Sequence, residues 1–214
     1  MIDATAKANG GRGLLCLSLA FSLLLAGCAH DHELARDWQT VAKHKDVEGL
    51  RKWRSSWVSA LDAARAKGNG AAIAAEGALL DPDAGLNDPT PPAGDYHCRV
   101  IRFGTGDGTT SGFAKLPAVR CRLDDLGDGL LDFAMLEGTQ RPIGRIYPGR
   151  GARLTFLGTL ELGDESRPFA YGLDAQRDLI GFVERIGPQR WRLDIPHPPF
   201  NGASQVIELI PDQA

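Results

Sequence analysis

The most restrictive feature of the sequence is a succession of short runs, from Tyr96 onward, in which apolar and polar residues alternate between glycine and aspartate turns. Alternation with a period of two is typical of β-strands that bury one face. Short strands joined by tight turns predict a mainly β fold, an antiparallel barrel or sandwich. The runs cover residues 96–101, 119–124, 130–136, 144–147, 153–160, 169–173, 179–186, 190–195 and 205–210.

A helical segment, residues 37–80, precedes the strands and starts near Asp37 or Asp46. From Asp46 its apolar residues recur at intervals of three and four, which places them on one face of a helix. Asp46 is a candidate N-cap, Gly68 is a candidate end, and a second short helix is predicted over residues 71–80. We therefore expect one or two N-terminal helices before the strands. The predicted buried face consists of Val47, Leu50, Trp53, Trp57, Leu61 and Ala64.

Two tryptophans on this face, Trp53 and Trp57, have two interpretations. They resemble an aromatic binding box, but their helical spacing favours packing of the helix on the domain. The segment that follows, residues 81–95, is a linker rich in proline, glycine and aspartate, which cannot continue a helix. It separates the helical part from a β-rich part, residues 96–214, although we expect residues 37–214 to form one folding unit.

The N-terminus has the pattern of a bacterial lipoprotein signal. Lys7 and Arg12 precede an apolar run of about 13 residues, and Gly27 and Cys28 follow that run. Small side chains permit cleavage before the cysteine, and the cysteine thiol can accept diacylglycerol. We expect a signal peptide over residues 1–27, lipidation of Cys28 and a tether over residues 28–36. The alternatives are an ordinary secretory peptide with a chance cysteine, or an apolar N-terminal helix.

Lipidation would determine where the protein is located. The apolar run is too short to span about 30 Å of hydrocarbon, whereas an acyl chain contributes about 0.8 kcal/mol for each buried methylene. The predicted location is the cell membrane, with the folded part lipid-anchored and facing the periplasm. Ala29 stands where, by resemblance to the enterobacterial sorting rule, aspartate favours the inner membrane. The sequence therefore favours the outer membrane.

The net charge argues against one class of partner. The chain of 214 residues has a formal charge of -3. The predicted signal peptide contains Asp3, Lys7 and Arg12, so its removal leaves a mature part with a net charge near -4. A mildly acidic domain without a run of lysine and arginine has no electrostatic footprint for nucleic acid. We therefore expect no nucleic-acid binding.

Two cysteines remain for the folded part, Cys98 and Cys121, because Cys16 leaves with the signal peptide and Cys28 is acylated. Export permits a disulfide, and both cysteines lie on the more apolar faces of their predicted strands. A Cys98–Cys121 bond would close a loop of about 22 residues and stabilise the fold by roughly 3 kcal/mol. The alternatives are two free buried thiols or metal ligands, although the spacing fits no zinc pattern.

Three polar residues are candidates for a ligand site or a structural pair: Arg141, Glu184 and Arg192. Arg141 can form two parallel hydrogen bonds with a carboxylate or phosphate. Glu184 shares a predicted strand face with Phe182 and Ile186, so its carboxylate points inward unless a bulge changes the register. Because an inward carboxylate needs a partner such as arginine, a buried Arg141–Glu184 pair is the structural alternative to a ligand site.

The sequence assigns no catalytic residue and no cofactor. It contains no nucleophile elbow, Walker loop or dinucleotide fingerprint, and the candidate bases are His44, His97 and His197. The acidic stretch 124–132 suggests a calcium loop, but its spacing differs from that of an EF-hand. His30 and His32 could bind a metal, but histidines in such a tether are more often solvated. No metal site is therefore assigned.

Several motifs together resemble one family. The chain is similar to the bacterial domain-of-unknown-function family 4893 (DUF4893), found chiefly in exported alphaproteobacterial proteins, and the likeness covers most of the mature chain from near Trp38. Because the family has no established activity, the resemblance implies membership and no mechanism. The motifs are Cys98-Arg99, Arg120-Cys121-Arg122, Gly138-Thr139-Gln140-Arg141-Pro142, Phe156-Leu157-Gly158, and the hairpin from Glu184-Arg185-Ile186-Gly187 to Trp191-Arg192-Leu193.

Three functions are compatible with these observations. The first is a non-catalytic envelope lipoprotein that binds a partner protein or peptidoglycan, which an apolar surface patch near the tryptophan-bearing helix would support. The second is a barrel-type carrier of a small molecule or lipid, which an interior filled by Trp191, Phe156 and Phe182 would count against. The third is an envelope hydrolase, which requires a cleft with His97 or His197 beside an acidic residue. We favour them in this order.

Overall fold

A closed antiparallel barrel dominates the computed structural model, which describes residues 37–104, 112–149, 151–163, 165, 167–200 and 204–212. The predicted signal peptide, Cys28 and the tether lie outside the described residues. The barrel consists of β1 and β3 to β9, each paired with the next, and β9 closes on β1. The strands are β1 (Gly94–Phe103), β2 (Phe113–Lys115), β3 (Val119–Gly127), β4 (Leu130–Met135), β5 (Gln140–Tyr147), β6 (Leu154–Leu162), β7 (Asp178–Gly187), β8 (Arg190–Pro196) and β9 (Ser204–Pro211).

Closure between the first and last strands confirms the mainly β fold and selects the barrel over the sandwich. β1 pairs with β9 continuously from Tyr96 opposite Pro211 to Phe103 opposite Ser204. Because every barrel strand has two neighbours, the described strands leave no long edge for pairing with another chain. The short β2, which the sequence did not predict, pairs with the end of β1.

Side chains fill the interior of the barrel, as the period-two alternation requires. Phe133 and Phe156 pack edge to face at 5.9 Å, and Trp191 from β8 lies in the same core. Cys98 and Cys121 form a disulfide between β1 and β3 within this core. Phe182 is the exception among the aromatic residues expected inside, because it lies on the outer face, 5.9 Å from Trp53.

A pair of glycines permits the close approach of β5 and β6. Gly144 and Gly158 are directly opposite each other. A Cβ on Gly144 would lie 2.3 Å from the Cα of Gly158, and a Cβ on Gly158 would lie 2.4 Å from the ring of Phe156. Side chains at either position would therefore separate the strands or displace the core ring.

The helices pack on the outside of the barrel. They are α1 (Trp38–Val41), α2 (His44–Arg51), α3 (Trp53–Ala64) and α4 (Gly70–Ala74), with a π-helical turn at Arg65–Asn69 and a 3₁₀ turn at Gly77–Leu79. The predicted long helix is thus broken at Lys52, between α2 and α3. Asp46 lies in the first turn of α2 rather than at its cap, whereas Asp37 caps α1 by accepting a hydrogen bond from the Gln39 amide at 2.9 Å.

Four residues of the face predicted to be buried, Trp53, Trp57, Leu61 and Ala64, form a second core against the outer surface of the barrel, whereas Val47 is only half-buried. Trp57 is fully buried, packs against Phe103 at 5.5 Å and donates an indole hydrogen bond to the Leu80 carbonyl at 3.2 Å. The tryptophans therefore serve as packing residues, in agreement with their helical spacing. Within the described residues, the helices are all too short or too polar to cross a lipid bilayer.

The run 169–173, predicted as a strand, is irregular in the structure. The Tyr171 hydroxyl donates to the Asp46 carboxylate at 2.5 Å and accepts from the Lys43 amide at 3.0 Å. The next amide, that of Gly172, donates to Asp178 at 2.7 Å. Because these contacts attach the segment to α2 and to the start of β7, its polar groups are satisfied without strand pairing.

Candidate functional site

Four charged residues lie between the helices and the outer surface of the barrel, and we call them the buried charge cluster: Arg153, Glu184, Arg192 and Asp194. Glu184 and Arg192 face each other on β7 and β8, and both are almost completely buried. Arg153 donates to the Oε1 atom of Glu184 at 2.7 Å, whereas Arg192 donates to Oε2. The Arg153 guanidinium also stacks on Trp53, 4.2 Å from the ring centre. The Glu184 side chain therefore lies on the outer face of the barrel but remains buried, because the helical segment covers that face.

Arg192 connects the barrel to the chain that follows the helices. Its guanidinium donates to Glu184 at 2.6 and 2.8 Å and lies 4.8 Å from the centre of the Trp57 ring. The same group donates to the carbonyls of Ala78, Leu79 and Asp81 at 3.0, 3.1 and 2.6 Å. Every hydrogen-bonding direction of the guanidinium is thus used within the protein, which is typical of a structural arginine.

Asp194 is the exception in the cluster. Its carboxylate is fully buried, and neither oxygen accepts a hydrogen bond from the described residues. Burial raises the pKa of Asp194 well above the usual value, and the nearby Glu184 raises it further, although Arg192 acts in the opposite direction. The folded protein consequently favours the protonated form of this side chain.

We expect the Asp194→Asn variant to gain stability relative to the parent as the pH rises. The unfolded parent releases the Asp194 proton near pH 3.9, whereas the folded parent retains it. The protonated Asp194 therefore contributes fully to the stability of the parent below that pH. This contribution is lost as the pH rises through the raised folded-state pKa, and the free energy of unfolding falls by at most about 1.4 kcal/mol per pH unit. Urea unfolding of both proteins between pH 4 and pH 8 would show this, with Asp62→Asn on the exposed side of α3 as control. Parallel stability profiles of Asp194→Asn and parent would contradict it.

Arg141 lies apart from the buried charge cluster. It donates to Glu161 at 3.0 Å and to the carbonyls of Gly138 and Gly163 at 2.8 and 2.7 Å. The suggested Arg141–Glu184 pair is wrong, because Arg141 pairs with Glu161 on the neighbouring strand and Glu184 pairs with Arg192 and Arg153. The three polar candidates of the sequence therefore belong to two different places in the fold.

Arg141 lines a cavity of about 710 Å³, a groove on the outer surface of β4, β5 and β6. We call it the β4–β6 groove. Its volume is within the range of small-molecule sites, about 300–1,000 Å³. The floor consists of the outward side chains of three strands, and an overhang is formed by the loop 168–171. Residues that line it include Asp132, Ala134, Leu136, Arg141, Ile143, Arg145, Thr159, Glu161 and Phe169.

The groove has exposed apolar side chains and one buried hydroxyl without a partner in the described part of the chain. Leu136 and Phe169 are 46% and 45% exposed, so both offer apolar surface to a ligand. Thr159 is 2% exposed, and its hydroxyl has no hydrogen-bond partner among the described residues. A buried hydroxyl without a partner costs free energy, so a ligand that binds it would recover that cost.

Arg145 and Asp132 form the second charged pair of the groove. They are directly opposite each other on β5 and β4, but no hydrogen bond or ion pair to Arg145 is present within the described ranges. The groove wall partly desolvates the Asp132 carboxyl even though the side chain reaches solvent, and this desolvation raises its pKa despite the attraction of Arg145. The two side chains therefore offer an unpaired donor and an unpaired acceptor.

The candidate bases do not form a catalytic arrangement. His97 lies 2.9 Å from Asp212 on the open surface, and the His197 ring lies 3.1 Å from the Ser56 hydroxyl. Among residues with described positions, no carboxylate contacts His197, so its pair with Ser56 lacks the third member of a triad. No group of three or more histidine, cysteine or acidic residues in the described ranges could hold a metal ion.

Sequence reasoning missed Arg145, Thr159 and Phe169 as groove residues. The predicted strand 144–147 contains Arg145 but not Arg141, so the shared face of the two arginines becomes evident only because β5 begins at Gln140. Thr159 gave no signal, since burial of its hydroxyl without a partner depends on neighbouring strands. Phe169 was assigned to a strand that does not form.

Comparison with known protein families agrees with the motifs. The model of the family described as Domain of unknown function (DUF4893) matches residues 38–209, from the first residue of α1 into β9. A search among curated proteins finds no significant match to the chain. Because the family model covers well over half of the sequence, this chain belongs to the DUF4893 family, a domain of unknown function.

Proposed function

We propose that this protein is an envelope lipoprotein, anchored through Cys28 and facing the periplasm, that binds a polar envelope component in the β4–β6 groove without catalysis. The observation that carries the proposal is the Thr159 hydroxyl, which is buried in the groove wall and has no partner within the described ranges. Exposed Phe169 and unpaired Arg145 supply apolar and polar contacts beside it. Peptidoglycan is the proposed component, and the near-neutral balance of groove charges fits a ligand that carries both signs.

The packed interior of the barrel argues against the carrier function. Trp191 and Phe156 belong to the inner core together with Phe133 and the disulfide. A ligand inside the barrel would have to displace these side chains, and displacement of well-packed core groups costs several kcal/mol. Phe182 is not part of this argument, because it lies outside the barrel.

The hydrolase function has less support than binding. Hydrolysis by a serine nucleophile needs a base that is itself oriented by a third group. His197 contacts Ser56 but no described carboxylate, and His97 pairs with Asp212 at the surface rather than in a cleft. The groove, by contrast, contains neither of these histidines in its lining.

The binding proposal predicts that a bulky residue in the groove blocks an envelope ligand. Ala134 lies on the groove floor, so Ala134→Trp should fill much of the space. We expect the full-length protein to co-sediment with purified peptidoglycan sacculi and Ala134→Trp to reduce its affinity at least about tenfold, a loss of about 1.4 kcal/mol. Ser59→Trp, on the exposed surface of α3, should bind like the parent. Equal binding by Ala134→Trp, or no binding by the parent, would overturn the proposal.

The anchor proposal predicts that Cys28→Ser abolishes acylation, because serine offers no thiol for the diacylglycerol. The variant should accumulate as an unprocessed precursor, and mass spectrometry of the membrane fraction should show no lipid adduct. Cys98→Ala is the matched control, since its loss should leave acylation unchanged. Normal maturation of Cys28→Ser would contradict the lipoprotein assignment. The position of Ala29 supports the outer membrane, which separation of the two membranes would test.

A further inference from the structure

The two charged pairs of the β4–β6 groove lie at opposite ends of one strand. Arg141 and Arg145 are four residues apart on β5 and point to the same side, so they are about 13 Å apart along the strand. Arg141 is opposite Glu161 on β6, and Arg145 is opposite Asp132 on β4. Each end of the groove thus has one carboxylate and one guanidinium.

The Arg141 end is already satisfied by the protein. Glu161 accepts from the Nε atom at 3.0 Å, and two backbone carbonyls accept from one terminal nitrogen at 2.7 and 2.8 Å. Both partners of this pair are largely buried, with side chains 14% and 12% exposed. A ligand would therefore gain little from separating Arg141 from Glu161, and this end is best regarded as a fixed wall.

The Arg145 end is open. Asp132 and Arg145 occupy directly paired positions, where Cβ atoms are about 4.5–5.5 Å apart, yet no ion pair joins them in the part of the chain that the structure describes. Opposite charges at this spacing match a group that carries an ammonium and a carboxylate on the same carbon. The carboxylate of such a group would pair with Arg145, and its ammonium with Asp132.

The floor between the ends is apolar with one hydroxyl. Ile143 lies between the two arginines, Ala134 is paired with it on β4, and Thr159 is paired with it on β6. Phe169, in the overhang, also lines the groove. An extended chain of about 13 Å, roughly four residues, would fit this floor, and one of its amides could satisfy the Thr159 hydroxyl.

From these features we propose that the groove binds an elongated peptide-like ligand whose free α-amino-acid head, with ammonium and carboxylate on one carbon, is held between Asp132 and Arg145. This inference rests on the proposed function, because it names the ligand class of the same groove. A peptide attached through the side chain of a diamino acid has this chemistry. A neutral glycan does not, since it has no charged head to bind the open pair.

A matched set of synthetic probes tests the head group. The parent probe is Nε-(N-acetyl-alanyl-alanyl)-lysine, which has a free α-amino-acid head, and the analogues are its carboxamide and its Nα-acetyl derivative. We expect calorimetry with the full-length protein to show binding of the parent probe and about 10- to 100-fold weaker binding of each analogue, as for loss of a charged hydrogen bond. Chitotetraose serves as the neutral glycan.

Two variants test which side chain binds the carboxylate of the head group and which binds its ammonium. Arg145→Gln should remove the preference for the free carboxylate but keep the preference for the free ammonium, and Asp132→Asn should do the reverse. Arg145→Lys should restore part of the carboxylate preference, which a merely structural role would not explain. Arg122→Gln, on the exposed side of β3, is the control and should behave like the parent protein.

The outcomes separate this inference from the proposed function. If all probes bind equally and Ala134→Trp weakens them together, the groove remains a binding site and the head-group inference is overturned. Binding of chitotetraose without the lysine probes, or no binding of the parent lysine probe, also overturns it. If probe binding is unchanged in Ala134→Trp, the groove is not the site and both proposals fail.

Discussion

Replacement of Arg192 by methionine is expected to lower the free energy of unfolding by about 3–5 kcal/mol, since removal of one member of a buried ion pair leaves the other charge uncompensated. Arg192 is fully buried and donates to Glu184 at 2.6 Å. Methionine would also leave three carbonyls at the end of the helical segment without their donor. Chemical denaturation followed by circular dichroism would measure the loss.

A matched control separates this effect from the general loss of a positive charge. Arg122 lies on the exposed side of β3 and pairs with Asp124 at 2.7 Å. Because exposed pairs contribute about 0–1 kcal/mol, Arg122→Met should change stability by no more than that. A loss below about 1 kcal/mol for Arg192→Met would mean that the buried charge cluster does not hold the helices on the barrel.

The Trp57→Ala variant is expected to lose a similar amount, about 3–5 kcal/mol, because it removes a large buried ring and leaves a cavity. Trp57 is fully buried in the second core, in contact with Phe103, and its indole also donates a hydrogen bond to the Leu80 carbonyl. The same denaturation experiment measures the loss, and Ser59→Ala on the solvent side of α3 should stay within about 0.5 kcal/mol of the parent.

This variant also decides between the two interpretations of the tryptophan pair. A packing role predicts loss of stability, with ligand affinity of the remaining folded protein unchanged. An aromatic binding box predicts the opposite result, unchanged stability with weakened binding. Unchanged stability of Trp57→Ala would therefore contradict the packing role that burial and ring contacts indicate.

Local patterns were sufficient to predict most of the elements. The period-two runs predicted the strands from β3 to β9 to within a few residues at most ends, because alternation is a property of each strand alone. Leu50, Trp53 and Trp57 were correctly predicted to be buried for the same reason, although Leu50 lies on α2 and the two tryptophans on α3. The break at Lys52 was not visible, because the apolar spacing continues through it.

The run 169–173 shows where such patterns fail. Its composition resembles a strand, but the Tyr171 hydroxyl and the Gly172 amide bind side chains from α2 and β7 instead. Asp46 lies more than a hundred residues before the segment in the sequence, and Asp178 lies a few residues after it. A local pattern has no information about competing partners, so the error arises from tertiary hydrogen bonds that replace strand pairing.

Local patterns in the sequence therefore predict most of the strands, most of the packed helix positions and which side chains share a strand face. Strand pairing and barrel closure establish which of the two faces is the core and what lies next to it. Glu184 and Phe182 share a strand face both in the prediction and in the structure. Closure of the barrel turns that face outward, and the helices then cover it. The β4–β6 groove arises in the same way, because Arg145, Asp132 and Thr159 come from three strands and meet only through register. Periodicity fixes which residues lie together along one strand, whereas pairing and closure fix which strands are neighbours and which side becomes the core.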